Sequence, residues 1–84
     1  MQGGPLAVMD VRRQLGLNMQ KLRREKAWSQ EDLAFESGIH RTYISGLERG
    51  VRNPTITIVA KLADTLKVPF GALLDPPVRK PRSG

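Results

Sequence analysis

SQEDLAFESGIHRTYISGLERG, residues Ser29 to Gly50, is the stretch whose reading decides the fold. Ser29 followed three positions later by Asp32 is a variant of the capping box, in which the serine oxygen accepts the free N–H of the third helical position. A helix is therefore predicted from about Gln30. Leu33 and Ala34 give it an apolar side, and Gly38 falls where a left-handed residue stops a helix at no steric cost. A second helix is predicted to open at about Arg41, to keep Ile44 and Leu47 on one face three residues apart, and to be closed by Gly50.

Two short helices joined by a tight turn form the supersecondary unit that reads DNA grooves. The flanks supply the rest of a core. Upstream, Asp10 is a plausible N-cap for a helix whose apolar positions Val11, Leu15, Met19 and Leu22 recur at spacings of four, four and three. Gly16 inside that stripe costs ~1 kcal/mol relative to alanine, which signals either close helix packing or a tolerated weakness. Trp28, immediately before the cap at Ser29, is placed to pack onto the next helix as a staple. Phe35 follows the Leu33 and Ala34 side and is expected to be at most partly buried.

Downstream, Asn53-Pro54 breaks regular structure and Thr55 caps a fourth helix. Its face is set by Ile56, Val59, Ala63 and Leu66, widened by Ile58 and Leu62. Pro69 suits the first position of a short fifth helix with Phe70, Leu73 and Leu74 on its apolar edge. That element is too short to stand alone. The expected architecture is thus all-α: five helices around one core, over residues 10–74. Residues 1–9 read as a flexible arm. Residues 75–84, DPPVRKPRSG, read as a disordered basic tail in which Arg79, Lys80 and Arg82 either are inert or add phosphate contacts.

Composition narrows the function. In an 84-residue chain, 14 Lys and Arg against 8 Asp and Glu leave a net charge of +6. That surplus suits a polyanion, although basic surfaces also serve solubility alone. There is no cysteine, hence neither disulfide framework nor thiolate metal site, and a reduced cytoplasm fits. Apolar runs are far shorter than the ~20 residues that span a bilayer, and no signal-peptide pattern opens the chain. His40, the single histidine, lacks the companions that a four-ligand zinc site requires. The carboxylates are scattered and there is no GxSxG or phosphate-cradling glycine loop, so no catalytic residue, cofactor or enzymatic activity is expected. No small-molecule effector site is evident. An aromatic cluster for stacking single-stranded bases is also missing.

SQEDLA, the Gly38 turn, RTYISGLERG, RNP and KLADTLKVPFGALL resemble, in order and spacing, the Cro and C1 repressor type of helix-turn-helix domain, the XRE family. HRTYISGLERGVRNPT in particular is similar to controller proteins of restriction-modification systems and to phage-type repressors. The resemblance implies a lambda-repressor-like fold with the second and third helices as the helix-turn-helix. It implies that Gln30 holds a phosphate and braces the recognition helix, with Ser29, His40 and Asn53 in the same phosphate-facing set. Arg41, Thr42 and Gly46 fall at the family's base-reading positions, with Tyr43 and Ser45 beside them. An arginine can donate two hydrogen bonds to guanine O6 and N7, and Arg41 is the first candidate for readout, a phosphate contact being its alternative. Gly46 departs from relatives with a long polar side chain there; either it allows close approach to the groove or readout is concentrated in Arg41 and Thr42. Arg49 and Arg52 match phosphate-facing positions, Arg52 also being able to reach a base edge or a narrow groove. His40 stands where serine, threonine or aspartate is usual, so the cap should be poorer. Arg23 and Glu48 match an ion pair that sets the angle of the recognition helix. The implied state is a homodimer on a pseudo-palindromic operator in double-stranded DNA, with Leu66, Pro69, Phe70, Leu73 and Leu74 at the dimer contact or, for the same side chains, in the core. The competing class is a protein-interaction module of the same fold, antitoxin-like or anti-repressor.

Overall fold

The computed structural model describes residues 10–76, and all regular structure among them is helical. Helix α1 spans Val11–Glu25, α2 Gln30–Ser37, α3 Arg41–Glu48 and α4 Ile56–Leu66, and a 3-10 turn covers Phe70–Leu73. The arm at 1–9 and the tail from 77 onward lie outside the described residues.

Local chemistry sets the boundaries. Asp10 Oδ1 accepts from the Arg12 N–H at 2.9 Å and starts α1. At α2 both halves of the capping box are present: the Asp32 N–H donates to Ser29 Oγ at 3.0 Å, and the Ser29 N–H donates to Asp32 Oδ2 at 2.8 Å. Gly38 ends α2 with φ +76, a left-handed conformation that side chains resist. Thr55 Oγ1 accepts from the Ile58 N–H at 3.1 Å to begin α4.

A single core joins the elements. Leu15 and Met19 of α1, Leu33 of α2, Ile44 and Leu47 of α3, Val59, Leu62, Ala63 and Leu66 of α4, and Leu73 of the 3-10 turn are buried together with Ile39. Truncating any large member to alanine costs ~2–5 kcal/mol. Each predicted stripe is shortened at its beginning. Val11 is 52% exposed and Ile56 76%, because the first turns of α1 and α4 project past the core. Phe35 is 84% exposed. Trp28 packs against the core as the staple reading expects, with Lys26 Nζ over its ring at 5.2 Å.

The fifth element is a 3-10 turn, not an α-helix, and Pro69 precedes it as an extended residue with ψ 151 instead of occupying its first helical position. Side chains of α1 take the carbonyls that a longer helix would need. Asn18 Nδ2 donates to the carbonyls of Leu73 and Asp75, both at 2.8 Å, and Gln14 Nε2 donates to that of Leu74 at 2.7 Å. Pro76-Pro77 then removes two N–H donors. Asp75, assigned to the tail by composition, is therefore tied to α1.

Candidate nucleic-acid interface

The C-terminal end of α3 is locked. Arg23 grips Glu48 with two parallel hydrogen bonds, Nε to Oε2 and Nη2 to Oε1, both at 2.8 Å. The pair is buried, the Glu48 side chain being 3% exposed. Buried charges are costly unless every remaining site is satisfied, and here the surroundings satisfy them. Gln30 Nε2 donates to Glu48 Oε1 at 2.9 Å, and the third nitrogen of Arg23, Nη1, donates to the Trp28 carbonyl at 2.9 Å. Hydrogen bonding to Glu48 raises the Arg23 pKa above its already high ordinary value, so the guanidinium stays charged. Gln30 thus ties the first turn of α2 to the last turn of α3.

Helix α1 completes the lock. A Cβ on Gly16 would lie 2.5 Å from the Glu48 carbonyl oxygen and 2.7 Å from that of Leu47, so the glycine marks close packing of α1 on α3. Gln20 Nε2 donates to the same Glu48 carbonyl at 3.2 Å. The chain then turns at Gly50, φ +75.

The N-terminal end of α3 is open by comparison. His40 makes no side-chain capping bond, in keeping with the poorer cap expected there. Arg41 and Thr42 are exposed. The Arg41 guanidinium is only loosely paired with Glu31, Nε to Oε2 at 3.7 Å, and an exposed pair of that length contributes little. Tyr43 and Ser45 are half-buried, Tyr43 packing on the core by one side. Arg49 and Asn53 are exposed beyond the helix. Thr42, Tyr43, Arg49, Val51, Arg52 and Asn53 line one open cleft across the outer side of α3 and the following loop. Ser29, Gln30, Glu31, Arg23 and Arg41 line another, at the start of α2.

The exposed candidates thus fall on two clefts, one across α3 and the following loop and one at the start of α2. Gly46 is buried, under the side chain of Arg52. Leu66 and Leu73 are fully covered inside the chain and belong to the core, not to a dimer surface. Pro69 and Phe70 are exposed and Leu74 is half-buried, and Phe70 and Leu74 with Val11, Asn53, Pro54 and Ile56 border a shallow apolar cleft. Val11 and Ile56 were not expected there. Sequence reading also missed Asn18 and Gln20, although Asn18 sits on the buried side of α1 between Leu15 and Met19, and a polar residue on an apolar stripe needs a partner.

The helix-turn-helix family model matches residues 19–73. An HTH-type transcriptional regulator of Sinorhizobium fredii, y4dJ, is 44% identical over 68 residues, covering 81% of this chain and 88% of the relative. The crystal structure of the hypothetical transcription factor NHTF from Neisseria has a TM-score of 0.79 at 43% identity, covering 81% of this chain and 78% of that one. The restriction-modification controller protein C.Esp1396I, solved as a tetramer in complex with its natural 35 base-pair operator, has a TM-score of 0.70 at 37% identity, covering 80% and 92%. With the capped helix pair, the locked α3 and these likenesses together, the chain belongs to the Cro/C1-type, or XRE, family of helix-turn-helix transcriptional regulators.

Proposed function

We propose that this protein regulates transcription by binding a pseudo-palindromic operator in double-stranded DNA as a homodimer, with α3 of each copy in the major groove. One observation carries the reading: α3 is held by its buried end and presents Arg41 and Thr42, with Arg49 and Arg52 beside them, on a free polar surface. Arg41 reads a base edge, for which its weak tie to Glu31 is easily given up. Gln30, through the start of α2, and Ser29, His40, Arg49 and Asn53 contact phosphates. The likeness to C.Esp1396I, whose complex contains operator DNA, supports this assignment.

Homodimerisation is supported by the apolar cleft bordered by Val11, Ile56, Phe70 and Leu74. A homodimer on a pseudo-palindrome needs its two α3 helices about one helical turn of DNA apart. The site of action is accordingly the cytoplasm, at the nucleoid.

Titration of the chain with random-sequence duplex DNA at several salt concentrations tests the DNA reading. Binding that weakens linearly in log–log form with salt, by roughly one unit of slope per phosphate contacted, is expected. Salt-independent or absent binding would favour the protein-interaction alternative.

A further inference from the structure

Gly46 stands one turn beyond Thr42 and Tyr43 on α3, at a position that the family resemblance assigns to base reading, yet it is buried. The covering atoms come from the loop. A Cβ on Gly46 would lie 2.8 Å from Arg52 Cγ, 3.1 Å from its Nε and 3.2 Å from its Cδ. Beyond this point the guanidinium lies over the Tyr43 ring in a cation–π contact, its central carbon 5.0 Å from the ring centroid. Arg52 joins none of the ion pairs among the described residues, so its donor edge is not engaged by a carboxylate. A long cation with its stem against a glycine and its charged head over an aromatic ring has a preferred direction before any ligand arrives.

Resting on the DNA-binding reading above, we propose that Gly46 and Tyr43 are positioning residues that hold Arg52 in the place a long side chain at 46 would fill. Base reading at one position of each half-site then depends on Arg52 from the loop. The seat explains why the absence of a side chain at 46 leaves no gap in the α3 surface: the arginine crosses it. A phosphate contact at the groove rim would need no such seat, because a flexible side chain reaches a phosphate from many directions. The planar fork needs a fixed direction to donate twice to guanine O6 and N7.

The test measures relative affinities for an operator and its single-base variants, with wild type, Arg52→Ala, Gly46→Ala, the double variant, Tyr43→Phe and Tyr43→Leu. Thermal melting checks each fold. Arg52→Ala should flatten the preference at one base pair per half-site by about 5- to 150-fold. Gly46→Ala should flatten the same position without loss of thermal stability, since alanine favours the helix, and should add nothing in the Arg52→Ala background. Tyr43→Leu should behave likewise, whereas in Tyr43→Phe, which keeps the ring, Arg52→Ala should still flatten that position. Retention of that base preference in Gly46→Ala, or additive effects in the double variant, would overturn the positioning role while leaving the DNA reading intact. A wild-type protein without any preference among duplexes would instead overturn the DNA reading itself.

Discussion

The two ends of α3, a helix of eight residues, are built on opposite terms. At the C-terminal end one carboxylate, Glu48, receives hydrogen bonds from Arg23 and Gln30, its backbone carbonyl receives Gln20, and Gly16 brings α1 against it. At the N-terminal end His40 supplies no cap, and Arg41 faces Glu31 across 3.7 Å. One end is satisfied inside the protein and the other leaves its donors outside. A helix that must enter a groove benefits from this division, because rigidity is needed where it joins the body and unpaired donors where it meets the ligand.

The contrast is open to direct attack, most forcefully at the locked end. Glu48→Ala strands the buried Arg23 guanidinium and should lower unfolding free energy by ~3–5 kcal/mol in denaturant melts. A loss below ~1 kcal/mol would mean that the pair is incidental to the fold. Gly16→Ala comes next. Its Cβ would collide with backbone oxygens that cannot swing aside, so a cost of ~1–3 kcal/mol is expected despite alanine's better helix propensity. Unchanged or raised stability would show that α1 and α3 can part freely.

At the open end the sign reverses. His40→Asp supplies the missing cap and should raise stability by ~1 kcal/mol while weakening duplex binding, since a carboxylate then stands where a phosphate is to approach. A gain in both quantities would remove the proposed trade. The smallest effect comes from the cap of α1. Hydrogen bonding from Arg12 lowers the Asp10 pKa below its ordinary value. A lowered folded pKa means that the cap's contribution is present above the unfolded carboxylate pKa and lost as pH falls through the folded one. Asp10→Asn should therefore shed a small acid-dependent part of the stability between those two values, and identical pH profiles for the two proteins would contradict it.

The helix pair was legible because its signals are local. A capping box and a glycine at φ +76 are written within a few residues of the boundaries that they set. The Arg23–Glu48 pair was legible only through family resemblance: its partners stand 25 positions apart, and spacing says nothing of which charges meet. Where elements end against one another the sequence was weaker. The 3-10 turn stops because Asn18 and Gln14, more than fifty positions upstream, take its carbonyls. Leu66 and Leu73 carry the same apolar signal as Phe70, and only packing separates core from surface. Arg52 on Gly46 is of the same kind, a loop residue whose destination depends on how the chain turns at Gly50.

The central claim is that the open end of α3 reads sequence while its locked end provides the stage. Selection of bound duplexes from a random pool, with wild type and Arg41→Ala in parallel, tests it most directly. The account predicts that wild type enriches two inverted half-sites about one helical turn apart, and that Arg41→Ala relaxes one base position in each at a cost of ~1–3 kcal/mol, leaving spacing and symmetry unchanged. An unenriched wild-type pool, or an Arg41→Ala motif identical to that of wild type, would contradict it.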